Sequence, residues 1–188
     1  MAAPAADPAG MPTPSRAIAT ATDTAAAEAT GSGDVSGLGP VSAPREWTIH
    51  CDGSAVPNPG RMGLGAVLFA PDGARHTVSC LAAGTGCNNE AELRALIAAL
   101  DEARARGATA VRIHTDSSTV VAHLGPAPPS PIPHLAGAFA EARTRIADFA
   151  QAELRWIPGH RNAEADALAR AAHDLPPRAV AAPRKRRR

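Results

Sequence analysis

Residues 47–83 read WTIHCDGSAVPNPGRMGLGAVLFAPDGARHTVSCLAA, and their hydrophobic period sets the architecture of the chain. Trp47, Ile49 and Cys51 alternate with Thr48, His50 and Asp52, which is the two-residue period of a strand. The alternation stops near Gly53, the Pro/Gly-rich turn AVPNPGRMG follows, and Leu64 to Phe69 form a second apolar run. Pro71, Asp72 and Gly73 supply another turn before a third strand from Arg75 to Ala83. Three strands joined by short turns make an antiparallel meander.

Downstream the period changes to that of helices. Asn88 and Asn89 suit an N-cap, Leu93, Leu96, Ile97 and Leu100 recur at helical spacing, and Gly107 suits the C-terminal stop. Val111 to Thr115 reads as a short strand with a brief helix after it to Leu124, and GPAPPSPIP cannot be regular structure. A helix from about His134 to Phe149, a last strand from Glu153 to Ile157 and an alanine-rich helix from Asn162 to Ala172 complete the order. A meander running on into strand and helix alternation implies an α/β fold with a mixed five-stranded sheet, its later strands parallel, flanked by helices.

The flanks have a different composition. Residues 1–44 are mainly Ala, Pro, Thr, Ser, Gly and Asp, with too little apolar bulk to offset the entropy of ordering, and read as a disordered tail. Residues 176–188, opening with Pro176 and Pro177 and closing on five consecutive cations, read as a flexible basic tail. A single folded domain over 45–175 is all that a 188-residue chain then accommodates. Its twelve arginines against fourteen acids give −2, the first tail carries −3 and the last +6, so the net +1 conceals a strong asymmetry. No run approaches the roughly 18 apolar residues of a membrane helix, and the N-terminus lacks a basic start followed by an apolar stretch. Three cysteines, Cys51, Cys80 and Cys87, form an odd set without CxxC spacing. Neither a disulfide framework nor a zinc site is expected, and a reducing, cytoplasmic setting fits. Cys51 and Cys80 lie in strand patterns as small core residues, and His50 and His114 read as half-buried strand side chains.

Four carboxylates fall where this layout can gather them: Asp52 closing the first strand, Glu92 in the first turn of the long helix, Asp116 closing the fourth strand, and Asp166 on the last helix. Each has an ordinary use. Asp52 can be a turn residue, Glu92 can complement a helix dipole, Asp116 can cap a helix, and Asp166 can pair with Arg170 one turn on. All four nevertheless fall on one edge of the sheet, where a parallel strand pair ends and ligands bind. Carboxylates crowded there repel unless a cation sits among them, and hard oxygen ligands suit Mg²⁺ or Mn²⁺.

Four segments, CDGSAVPNPGRMGLGAVL, CNNEAELRALIAAL, HTDSSTVV and GHRNAEADALARAA, occur in an order and on elements that resemble the type 1 ribonucleases H. The resemblance spans about 45–173 and implies that family's fold. It implies hydrolysis of the RNA strand of RNA/DNA hybrids by two metal ions, Mg²⁺ or alternatively Mn²⁺, leaving 3′-OH and 5′-phosphate ends. Asp52, Glu92, Asp116 and Asp166 match the metal-binding acids, and His160 matches a histidine used in proton transfer or product release, with Arg161 a rival for the same space. Gly53, Asn58, Asn88, Asn89 and Ser118 match substrate-binding positions, although Cys87 replaces a common Thr and Ser118 a Gln found in some relatives. No basic helix rich in Trp and Lys lies between Asp116 and His160, so the chain resembles the shorter form, expected to be a monomer. A proofreading-type exonuclease would want a second acid two residues after the first, where this chain has Ser54. A silent nucleic-acid-binding module of the same fold would be betrayed by loss of an acid or of the helix cap, and the sequence loses neither.

The charge distribution generates a test of the terminal run Arg184 to Arg188, which is expected to contact phosphates beside an acidic site. If about three of these cations engage, truncation after Leu175 should flatten the plot of log affinity for hybrid against log salt by up to roughly 3 units, with little change in kcat. Equal slopes for the two proteins would show that the run is only solvated.

Overall fold

The computed structural model describes residues 46–178; both the 1–44 segment and the cationic run 184–188 lie outside the described residues. Five strands pair in the order β3-β2-β1-β4-β5. The meander is β1 (Glu46–Val56), β2 (Gly60–Phe69) and β3 (Arg75–Gly86), paired antiparallel throughout. β4 (Ala110–Thr115) lies parallel to β1, and β5 (Gln151–Trp156) parallel to β4. Helix α1 (Asn88–Ala105) connects the meander to β4, while α2 (Ser118–Leu124) and α3 (Ala136–Ala147) lead to β5 and α4 (Ala163–Ala171) closes the domain.

The strands are longer than alternation alone predicts. β1 runs past Gly53 to Val56 because β2 continues to pair with it as far as Val56 opposite Arg61. Asp52 is therefore a strand residue and not a turn residue. α3, expected from about His134 to Phe149, runs only from Ala136 to Ala147, after a 3₁₀ turn at Pro133–Leu135, where Pro133 suits a first-turn position. Cys80, expected in the core, is exposed, because β3 lies at the edge of the sheet and much of it faces solvent.

One face of the sheet carries the main core. Trp47, Ile49 and Cys51 of β1 and Val111 and Ile113 of β4 pack with Leu93, Leu96 and Leu100 of α1 and with Phe139 of α3. α1 ends as its sequence suggests: Gly107 has φ +82°, its N–H bonds Arg104 O at 2.9 Å, and Ala108 N–H reaches Ala103 O at 3.0 Å. α4 crosses the opposite face, over β2 and β1, with Ala165 and Ala169 buried.

Two glycines set how closely the helices approach. A Cβ at Gly53 would lie 2.1 Å from the carbonyl carbon of Ala91 and 2.4 Å from Glu92 N, so α1 rests directly on the β1 backbone beside Asp52. At Gly65, the partner of Asp52 on β2, a Cβ would lie 2.2 Å from Ala165 O and 2.3 Å from Ala169 N. Backbone cannot yield as a flexible side chain can, so Gly65→Ala should lower unfolding free energy by about 1–3 kcal/mol in urea titration. Gly137, on α3 with open space around it, should instead gain about 0.5–1 kcal/mol on replacement by Ala.

Candidate metal centre

Parallel pairing of β1 with β4 brings the first two acids side by side. The last recorded rung is His50 opposite His114, and two residues further along each chain stand Asp52 and Asp116, projecting to the same side as that rung. Glu92 arrives from the second turn of α1, not the first, where Glu90 stands, and Gly53 admits that helix to close range. One carboxylate oxygen from each of Asp52, Glu92 and Asp116 lies within 4.8 Å of the others. Asp166, in the first turn of α4, falls outside this triad yet is near enough for its charge to act on Asp52.

The electrostatics follow from burial. Asp52 is 8 % exposed, and loss of solvent together with the Asp116 and Asp166 charges pushes its pKa up to about 7. Burial, then Asp52 and Asp116, raises Glu92 to about 9. Glu92 Oε2 is buried with no hydrogen-bond partner among the described residues. A buried carboxylate oxygen left without a donor, facing two further carboxylates, is a costly arrangement that a hard cation would relieve. The oxygen donor set and spacing therefore fit a divalent cation of the Mg²⁺ or Mn²⁺ kind.

Asn162 supplies the support that sequence inspection overlooks, having marked it only as the start of a helix. It is 2 % exposed, and its Nδ2 donates to Asp116 Oδ1 at 2.8 Å and to Cys51 O at 3.0 Å, tying the fourth acid-bearing segment to β1. Trp156 Nε1 donates to the Asp116 carbonyl at 3.1 Å, and a Cβ at Gly159 would come within 2.9 Å of Asp116 Oδ2. The sequence offered only an amide four residues before Asp166; its burial, which the fold alone shows, marks it as a polar residue that a core does not admit without a bond to make. Asp116 does not cap α2; Ser117 does, accepting from Val120 N–H. Asp166 pairs with Arg178 at 3.1 Å and not with Arg170, whose Nε donates to Pro176 O at 2.8 Å.

The remaining candidates lie around this cluster. His160 and Arg161 are exposed on a 3₁₀ turn, Gly159–Arg161, that leans on Asp116 through Gly159. Asn88 is not an N-cap: α1 begins at Asn88 with Cys87 in the cap position, and the Asn88 amide oxygen accepts from Ala55 N–H at 2.8 Å. Asn58 Oδ1 accepts from Asn88 N–H at 3.1 Å, so the two amides brace the first hairpin turn against α1. Asn89 and Ser118 are exposed, and Gly53 is buried under α1. His50 and His114 stack on one another at 4.7 Å, and among the described residues no helix is long and apolar enough to cross a membrane.

Residues 50–172 match the family described as "Reverse transcriptase-like". The bifunctional protein Rv2228c of Mycobacterium tuberculosis is 36% identical over 137 residues, covering 71% of this chain and 37% of that protein. The chain thus spans well under half the length of that relative. Ribonuclease HI of Halobacterium salinarum is 33% identical over 136 residues, covering 71% of this chain and 68% of that one. The solved RNase H1 of that organism superposes with a TM-score of 0.65 at 32% identity, covering 69% and 98% of the two chains. LC11-RNase H1, solved in complex with an RNA/DNA hybrid, gives 0.62 at 30% identity and covers 68% and 96%.

The raised carboxylates predict how the protein responds to pH in a chelator. Folded Asp52 and Glu92 bind protons more tightly than the unfolded chain does, so folding stability should fall as pH rises from about 4 through about 7 and then about 9. The decline should be on the order of a few kcal/mol in urea titrations at pH 5, 7 and 9. Asp52→Asn should remove its lower part, and added Mg²⁺ should reverse it at pH 9. A stability that is flat over this range would contradict the crowding of the cluster.

Proposed function

The chain belongs to the ribonuclease H-like family, and from that premise we propose that it is a metal-dependent endoribonuclease cutting the RNA strand of RNA/DNA hybrids. The observation that carries the reading is the convergence of Asp52, Glu92 and Asp116 to within 4.8 Å, with Asp166 alongside. A structural relative holding an RNA/DNA hybrid supports the choice of substrate.

Asp52, Glu92, Asp116 and Asp166 would hold two divalent cations, which when bound supply Lewis acidity to the attacking water and the departing 3′-oxygen of an in-line phosphodiester displacement. The chain's own work is positioning. Asn162 fixes the Asp116 carboxylate against the β1 backbone, and the close seat of α1 on Gly53 fixes Glu92, so the acids need not reorganise as substrate arrives. The side-chain Nδ2 groups of Asn58 and Asn88 remain able to donate once their oxygens are engaged, and with Asn89 they would read 2′-hydroxyls of the RNA strand. His160 or Arg161, on the turn that abuts Asp116, would move a proton or contact the departing phosphate.

The test is cleavage of labelled RNA/DNA hybrid, duplex RNA and duplex DNA side by side, with Mg²⁺ and with chelator. The hybrid should be nicked in its RNA strand only with metal, leaving 3′-OH and 5′-phosphate ends. Asp52→Asn and Asp116→Asn should abolish cleavage while keeping a cooperative unfolding transition. His160→Ala should slow turnover by about tenfold to 100-fold without changing metal affinity. If Arg161→Ala is slow and His160→Ala is not, the role belongs to Arg161. Hybrid that is bound but left intact would identify a silent binding module instead.

A further inference from the structure

The segment after α4 does not leave the domain at Leu175. α4 closes with Asp174 at φ +59°, a left-handed conformation that a short polar side chain tolerates. Asp174 N–H bonds Ala171 O at 2.9 Å and Leu175 N–H bonds Arg170 O at 3.1 Å, so the chain reverses and retraces the helix. Pro176 O receives Arg170 Nε at 2.8 Å, and Arg178 Nε reaches Asp166 Oδ1 at 3.1 Å. Contacts from 176 to 170 and from 178 to 166 step back along α4 from its last turn to its first.

We infer that Arg178 is an internal counter-ion that occupies Asp166 in the metal-free enzyme and must be displaced when a divalent cation takes that carboxylate. The inference rests on the proposed metal site and concerns its regulation. Asp166 is largely covered, whereas the Arg178 side chain is 70% exposed and free to swing away at small cost. Its charge also reaches Asp52, where it opposes the upward push of burial and of the other acids. A guanidinium offers one positive charge through hydrogen bonds, while a divalent ion offers two through direct oxygen ligation. Exposed ion pairs are weak, so the cation wins, but at reduced affinity. Arg178 is carried on a segment that the Arg170 to Pro176 contact holds against α4.

The experiment is a direct Mn²⁺ titration of the full chain, without nucleic acid, following the spectroscopic signal of free Mn²⁺. Arg178→Gln should bind Mn²⁺ about two- to fivefold more tightly than wild type, and Arg178→Lys should lie between them. In an Asp166→Asn background the gain from Arg178→Gln should fall away, because the pair is already broken. Equal affinities for wild type and Arg178→Gln would overturn the inference, as would an undiminished gain in the Asp166→Asn background. Mn²⁺ binding that is absent from wild type, or indifferent to Asp52→Asn, would instead overturn the metal site on which the inference stands.

Discussion

Mutual repulsion among carboxylates held away from water is the constraint on which the arrangement of the rest depends. Asp52, Glu92 and Asp116 would separate if their backbones could move, since desolvation and like charge both oppose ionisation. They are held because each stands on an element that cannot shift alone. β1 is central in the sheet, β4 is locked to it in parallel register, and α1 is pressed on Gly53 with no space for a methyl group. The small residues near the site, Gly53, Gly65, Ala165 and Ala169, serve this end. They bring backbones close, and close backbones cannot relax under electrostatic load.

How much of this was readable in advance depends on the range of the interaction. The two-residue period of Trp47 to Asp52 and the helical spacing of Leu93 to Leu100 are local signals, and the strand and helix they announce are present in a mixed five-stranded sheet. Ends were less legible, because a strand ends where its partner ends: Val56 stays in β1 only because Arg61 lies opposite. The exposure of Cys80 has the same cause, since alternation cannot say whether a strand has a neighbour or a helix above it. Asn88 carries a capping side chain in composition, yet its amide oxygen is taken by Ala55 N–H, 33 positions away. That competition is invisible to local rules.

The acids were legible as a set and their supports were not. A carboxylate at a strand end carries its own chemistry in its type, whereas Asn162 matters only through Cys51 O and Asp116 Oδ1, contacts 111 and 46 residues distant in sequence. Its burial at 2 % is what distinguishes it from a routine helix-start residue, and burial is a property of the fold. Arg178 is a similar case. It stands just past two prolines in a segment of tail-like composition, and only the turn at Asp174 returns it to the site.

The distribution of cations sharpens what a polyanionic substrate would meet. Arg75, Arg94, Arg104, Arg106, Arg112, Arg145 and Arg155 are each paired with an acid, so much of the domain's positive charge is already neutralised at short range. Arg143 is turned to the His123 carbonyl and Arg170 to that of Pro176. Arg178, on Asp166, is stationed at the acidic edge itself, and Arg161 stands on the turn whose Gly159 abuts Asp116. Their position matters more than their number: on the proposed reading, net attraction for a phosphate backbone would be weak while the acids are bare and would strengthen once cations fill them. On the proposed reading, metal loading therefore does two things together, neutralising the four acids and releasing Arg178 from Asp166. Binding of substrate and binding of metal are in that case thermodynamically linked, each raising the affinity for the other by the same factor.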